Sequence, residues 1–393
     1  VCVVAGLFPA GVLRTARAAE PGTERRLILA HYMPWYEAKP AHAAWGWHWT
    51  MDAFDPDEIV AGRRKIAAKL YPEIGPYDSG DPDVLEYHLL LMKLAGIDGV
   101  VIDWYGRRDL WDYARIHGHA SRLVELAGRL GMQVAVCYED KTIPNLVRQR
   151  MIPAEARVKE AVAEVGWLAE HWFPLGHYVR IEGRPVLLSF GQEGLTADEW
   201  SRCLQETRVP VASFSEHDRR QAAVGGFDWP VPQKGIAEVD RFLERSREWP
   251  ARIPVAYPRF LDIYAEARVH PSFGSIADGD GATFRRTLEL GLAAGAPIVQ
   301  IATWNDWGEG TAVEPSLEFG TRDLETVQAL RRRHLEPDYP GRPDHLTLPG
   351  RLLALRRAAA DESRRTRLDR VVELIVAGEV ARATEEVGTL ETP

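Results

Sequence analysis

Cysteine, long apolar runs and surplus positive charge are all scarce in this chain, and each shortage closes off a class of protein. Three cysteines in 393 residues, Cys2, Cys137 and Cys203, exclude a disulfide framework, and no two of them have metal-ligand spacing. No apolar stretch approaches the roughly 20 residues that a membrane-spanning helix needs, so no membrane span is expected. Forty-eight basic against 57 acidic side chains leave a formal charge of -9, which argues against a nucleic-acid partner, because such proteins carry a basic face or stripe. Arginines do cluster at 331–333 and 356–367, but acids interleave with the second group, as on a solvated helix face.

Aromatic residues are plentiful instead. Thirteen tryptophans and 12 tyrosines exceed what a core of this size requires. Tryptophan placed on loops suits a sugar-binding cleft, since apolar sugar faces stack on rings while hydroxyls bond to polar neighbours. An oligo- or polysaccharide is therefore the expected partner; the composition leaves the oligomeric state open. The first 20 residues, VCVVAGLFPAGVLRTARAAE, read as the remnant of a secretory signal: an apolar stretch precedes Ala16-Arg17-Ala18, an A-x-A cleavage pattern. On that reading the protein is exported, periplasmic or extracellular, with a cytoplasmic location as the alternative.

Beyond residue 26 the chain alternates strand-like with helix-like segments. Strand-like runs fall at 26–32, 99–105, 133–139, 184–190, 209–215, 224–229, 252–258 and 297–304. Amphipathic stretches lie between them, at 83–95, 120–130, 155–171, 196–206 and 282–294, and Gly96 and Gly131 stand as stop signals. Eight repeats of strand and helix predict an α/β fold, a (β/α)8 TIM barrel over 26–335. The alternative, an open doubly wound sheet, usually has a glycine-rich phosphate loop after its first strand, and none is present. Within the barrel, YVRIEGRPVLLSF reads as a hairpin turning on Glu182-Gly183. Residues 336–393 read as a proline-rich linker followed by a small C-terminal helical appendage of two or three helices.

In such barrels the C-terminal ends of the strands build the active site. Here strand one ends in His31, Tyr32, Trp35 and Tyr36; strand two in Asp103, Trp104 and Tyr105; strand three in Tyr138, Glu139 and Asp140. Strand seven ends in Tyr257 and Arg259, and strand eight in Trp304, Asn305, Asp306, Trp307 and Glu309. Any one of these has a plainer reading: His31 as a core histidine, Trp35 or Trp104 as a plug in the barrel mouth. Their concentration at five strand ends is what suggests a site. Within it Asp306 and Glu309 are the expected catalytic pair. Glycoside hydrolysis uses two carboxyl groups, one ionised and one kept protonated, and neighbouring indoles favour the protonated form by desolvation. Gly308 and Gly310 would let the turn aim both acids inward. Glu314 is expected to bind sugar hydroxyls or to hold the loop. No metal and no cofactor is called for.

The stretches HYMPWY, YPEIGPYDSGDPDVLEYHLLLMKLAGIDGVVIDWYG and WNDWGEGTAVEP resemble glycoside hydrolase family 99, a family often grouped with family 71 that includes endo-acting α-mannosidases and α-mannanases. The resemblance spans about residues 27–335. It implies a metal-free (β/α)8 barrel that cleaves α-linked glycans with retention of configuration, probing an internal bond rather than a chain end. It also implies a route in which one carboxylate deprotonates the sugar 2-hydroxyl, giving a 1,2-anhydro sugar, while a second acid protonates the leaving oxygen. By the same matching, Asp306 takes the base position and Glu309 the acid/base position, and His31, Tyr36, Trp104 and Glu139 fall among substrate subsites. The chain departs from the family at 306, where characterised endo-mannosidases carry a glutamate, and CYED only loosely matches their stretch after strand three. The expected activity is a glycoside hydrolase; the alternatives are a non-catalytic carbohydrate-binding barrel and an accessory protein of polysaccharide biosynthesis.

Overall fold

The computed structural model describes residues 25–191, 193–359 and 361–391. Cys2 and the signal-like segment 1–20 lie outside them. The described chain is a parallel barrel wrapped by helices, with three further helices at its C-terminal end. Its strands are β1 (Leu27–Tyr32), β2 (Gly99–Trp104), β3 (Gln133–Glu139), β4 (Arg184–Phe190), β5 (Ala212–Glu216), β6 (Gly225–Phe227), β7 (Ala251–Ile253 with Val255–Ala256) and β8 (Ile298–Ile301). Pro254 splits β7, since proline has no N–H to give to a ladder. The half before it pairs with β6, and the half after it pairs with β8. With β8 also paired to β1, the sheet closes into a ring of eight strands.

Helices α1 (Pro82–Ala95), α2 (Tyr113–Arg129), α3 (Arg157–His171), α4 (Ala197–Thr207), α5 (Ala237–Arg245), α6 (Ala282–Ala293) and α7 (Arg322–His334) cover the outside. Local sequence sets their ends. The Asp81 side chain accepts from the N–H of Asp83, Pro82 opens α1, and Gly96 closes it at φ 89°. Thr196 and Glu199 form a reciprocal capping box at α4. The turn at Glu182-Gly183 takes φ values of 49° and 75° and lets Arg180–Ile181 pair antiparallel with the start of β4.

The C-terminal helices α8 (Leu348–Ala358), α9 (Glu362–Val376) and α10 (Val380–Glu391) pack on the barrel. Leu352, Leu355, Val371 and Val387 extend the same apolar layer that α1 and α2 contribute to. Arg356 joins the two parts with a forked ion pair to Glu86 of α1, at 2.6 and 2.9 Å, and a further contact to Asp369. No helix among the described residues is long and apolar enough to cross a membrane.

Strand pleating divides the interior into two cores. Leu29, Val101, Ala135, Cys137, Leu188, Phe214 and Ile298 point into the barrel, whereas Ile28, Ala30, Ile102, Val136, Leu187 and Ile301 face the helices. This alternation decides which strand-end residues reach the mouth.

Candidate active site

A cleft of about 1300 Å³ opens at the C-terminal ends of the strands. One wall comes from the long segment after β1, where Trp35 stacks on His48 with ring centres 4.2 Å apart and planes 5° from parallel. Tyr105 and Tyr113 continue that wall. Opposite stand Phe190, Glu216, His217 and Trp229, with Tyr264 and Phe273 to one side. Trp47 and Trp111, 41% and 54% exposed, offer open ring faces at the rim.

The loop leaving β8 carries the acids and is heavily tied down. Trp304 N–H donates to the carbonyl of His31, and Glu314 N–H to that of Trp304. The Tyr36 hydroxyl donates to the carbonyl of Asn305 and accepts from Trp307 N–H, so β1's extension clamps the turn. Asp306 N–H donates to Thr303 Oγ1, and Asp306 Oδ1 accepts from Glu309 N–H at 2.9 Å. Gly310 sits at φ 66°, and a Cβ there would lie 2.6 Å from the Leu261 carbonyl oxygen, so both conformation and space demand glycine. Gly308 has no positive φ; a Cβ would meet only the movable end of Met51.

Asp306 and Glu309 both line the cleft. Burial pushes the Asp306 carboxyl up to about 6, held back by the N–H groups of Glu309 and Gly308 and raised further by Asp103. Glu309 is driven well above the ordinary carboxylate range, first by burial and then by the charge of Asp306, and its Oε2 has no hydrogen-bond partner among the described residues. Both acids therefore hold protons more tightly than exposed carboxyls do, and at Glu309 the charge of Asp306 adds to the effect of burial.

Three inward-facing strand-end residues lie beside them. Burial raises Glu139 to about 8 against the pull of Lys141, whose Nζ is 3.3 Å from Glu139 Oε2, and Asp103 raises it further. Burial also raises Asp103 to about 7, opposed by Lys141, and its oxygens lack a well-formed hydrogen bond. His31 is lowered to about 4 by burial, so it is neutral; its ring meets Trp229 edge-on at 4.8 Å. A neutral imidazole and partly protonated carboxyls suit a neutral polyhydroxylated ligand, which donates and accepts at each hydroxyl.

Of the residues singled out in the sequence, Trp35, Tyr36, Asp306 and Glu309 line the cleft, and His31, Glu139 and Tyr257 point into the barrel interior. Tyr32, Trp104, Tyr138 and Trp304 do not reach the cleft. Pleating turns them outward into the helical layer, where Trp104 packs among Tyr138, Trp167 and Trp172. Asn305, Trp307 and Glu314 lie behind the loop. Asn305 clamps both backbone groups of Met33, and Trp307 Nε1 donates to the Tyr77 hydroxyl. Glu314 accepts from Tyr77 at 2.7 Å and lies 3.1 Å from His88 Nε2, while the Tyr32 hydroxyl meets His88 Nδ1 at 2.9 Å. Glu314 thus holds the loop, the second of its two expected roles. Arg259 is likewise structural, paired with Asp278 and Asp323.

The cleft and the barrel interior beside it also contain residues for which no site role was read. Asp103 and Tyr105 stood at a named strand end, and alternation alone would have selected Asp103 over Trp104. Glu216 follows Phe214 at the same parity, but the strand-like run ended one residue short of it. Lys141, His217, Trp229 and Tyr264 come from loops, and His48 from a single helical turn at Trp47–Thr50, whose paths the sequence does not announce.

Known proteins resemble this chain over much of its length. Residues 25–207 match the model of glycosyl hydrolase family 99. The chain is 34% identical over 367 residues to a glycoprotein endo-alpha-1,2-mannosidase-like protein of Danio rerio, covering 81% of this chain and 75% of that one. A protein of the same description from Mus musculus is 35% identical over 327 residues, covering 75% and 67%. Among solved structures, the family 99 endo-alpha-mannosidase from Bacteroides thetaiotaomicron superposes with a TM-score of 0.59 at 16% identity, covering 79% of this chain and 97% of that one. At that identity the superposition speaks for the barrel alone.

Proposed function

The chain belongs to glycosyl hydrolase family 99 and is a glycoside hydrolase, and from that premise we propose that it cleaves α-linked, mannose-containing glycans at internal bonds with retention of configuration. Glu309 is the general acid/base and Asp306 the base. The observation that carries this reading is two buried carboxyls on one braced turn that both line the cleft, one of them with an oxygen that has no hydrogen-bond partner. A pair in which one acid is ionised while the other keeps its proton performs acid and base work in the same step.

In the first half-reaction Asp306 takes the proton of the sugar 2-hydroxyl. The freed oxygen attacks the anomeric carbon as Glu309 gives its proton to the departing glycosidic oxygen. In the second, Glu309 takes a proton from water, the water oxygen opens the strained ring at the anomeric carbon, and Asp306 returns its proton to the 2-oxygen. Two inversions give net retention. The cleft exceeds the roughly 300–1,000 Å³ of ordinary small-molecule sites, and its exposed rim indoles suit an extended chain. The names of the similar proteins point to α-mannose as the sugar.

The test is product analysis. Wild type and Glu309→Gln are incubated with a panel of α-mannans and α-glucans, following new reducing ends and their anomeric form by NMR. Release of α-configured oligosaccharides by wild type alone supports the assignment. Products of β configuration, or unimpaired release by Glu309→Gln from an unactivated glycan, would sink it.

A further inference from the structure

His42, Asp78 and His119 meet at the base of the segment that forms one cleft wall, although 36 and 41 residues separate them in turn. Their ligand-type atoms all lie within 4.8 Å of one another. His42 Nε2 is 3.1 Å from Asp78 Oδ2, and His119 Nε2 is 3.9 Å from Asp78 Oδ1. The tautomer of His119 follows from its other nitrogen. Nδ1 lies 3.0 Å from the Pro34 carbonyl oxygen, which only accepts, so Nδ1 carries the proton and Nε2 of the neutral ring presents a lone pair. That lone pair faces a carboxylate oxygen across a gap too wide for a hydrogen bond.

Two acceptors aimed at each other across such a gap call for a cation between them. For a metal held at ~2.0–2.1 Å by nitrogen and oxygen, neighbouring donors of a tetrahedron lie ~3.3 Å apart, between the two separations seen here. Asp78 is oriented by the N–H groups of Ala38 and Gly80, and His119 by a carbonyl, the outer-shell support typical of metal ligands. A Cβ at Gly80 would lie 2.8 Å from the His119 ring and 3.0 Å from Asp78 Oδ1, so a glycine there lets the three residues converge. The nearest guanidinium groups are engaged elsewhere, Arg115 with Glu37 and Arg122 with the Gly80 carbonyl.

We propose that His42, Asp78 and His119 form a structural site for a borderline divalent cation of the zinc class, which ties the cleft-wall segment to α2 and to the turn before α1. On binding, His42 Nε2 gives up its proton and ligates through that lone pair, and solvent supplies the fourth position. Two imidazoles and one carboxylate favour zinc or cobalt over magnesium, which prefers an all-oxygen shell. The site is separate from the carboxyl pair and does not depend on the hydrolase assignment.

The experiment titrates the chelator-treated protein with ZnCl2, CoCl2 or MgCl2 by calorimetry, cobalt absorption and limited chymotrypsin cleavage after Trp45 and Trp47, which follow His42 in the same segment. Wild type is expected to bind one zinc at micromolar concentration or tighter, to show visible cobalt bands of a low-coordinate site, and to resist that cleavage when zinc is present. Half-exposed His42 permits a mild variant, and His42→Gln should weaken zinc at least ~100-fold and abolish the protection, with His119→Gln behaving alike. Zinc binding no tighter than magnesium binding would overturn the proposal. So would zinc binding unchanged in His42→Gln, including binding at His31, Asp103 and Cys137 in the barrel interior.

Discussion

Two buried polar regions of this molecule touch the same loop and differ in one respect. Glu309 in the cleft and Asp103 in the barrel interior beside it have carboxyl oxygens without hydrogen-bond partners and carry raised proton affinities. Behind the loop, Tyr32, Tyr77, His88, Asn305 and Glu314 engage one another at 2.7 to 3.1 Å. Glu309 and Glu314 are only five residues apart, yet one faces open cleft, while the other accepts a hydrogen bond from Tyr77 and lies 3.1 Å from His88 Nε2, its Oε1 also lacking a hydrogen bond. Burial alone therefore does not mark a catalytic acid. A buried carboxyl with nothing to bond is costly to the fold, and persists where a ligand will supply what the protein withholds.

Substitutions can break this contrast. Glu309→Gln should lower kcat/KM on an unactivated glycan by ~10²–10⁴-fold while leaving the urea midpoint nearly unchanged, because the amide replaces a group that is already neutral and unpartnered. Loss of stability without loss of turnover would reverse the assignment of the two regions. His88→Ala should do the opposite, costing ~3–5 kcal/mol in urea unfolding by stranding Glu314 without its partner, with activity retained per folded molecule.

The pH response separates the regions further. On the proposed mechanism activity requires ionised Asp306 and protonated Glu309, so kcat/KM should fall below about pH 6 as Asp306 takes up its proton, and fall again on the alkaline side as Glu309 loses its own. Stability has its own sign. Asp103, Glu139 and Asp306 bind protons more tightly in the folded chain than when unfolded. Between the ordinary carboxylate range and about pH 8 the native state thus holds protons that the unfolded chain has released, and stability declines as pH rises. Urea midpoints at pH 5 and pH 8 should show the decline, reduced in Glu139→Gln; a flat profile would mean that these groups titrate normally. The smallest effect is expected for Tyr32→Phe, which deletes one hydrogen bond to His88. It should cost ~1 kcal/mol and leave KM unchanged, whereas a rise in KM would place Tyr32 with the ligand after all.

Much of this was legible beforehand. The alternation of strand-like and helix-like runs foretold the barrel, and the helical stretches named at 83–95, 155–171, 196–206 and 282–294 fall where helices stand, α2 alone beginning seven residues earlier than its stretch at 120–130. Site residues were harder. His31 beside Tyr32, Asp103 beside Trp104 and Glu139 beside Tyr138 are adjacent in sequence, but period-two alternation sends one of each pair to the barrel interior and the other to the helices. That rule was available, and applying it would have removed Tyr32, Trp104 and Tyr138 and added Asp103. No such rule reaches Lys141, His217 or Trp229, whose loops are placed by contacts with distant segments.

By itself the sequence determined the eight-strand repeat, the glycines and caps that end its helices, and the turn that carries Asp306 and Glu309, because these depend on periodicity and on residues a few positions apart. Only the tertiary structure decided that Glu309 faces the cleft while Glu314 meets His88 and Tyr77, 226 and 237 residues earlier, and that His42, Asp78 and His119 converge. Proton affinity, partnering and ligation are properties of what lies within a few ångströms, and chain closure brings those neighbours from segments that no local pattern connects.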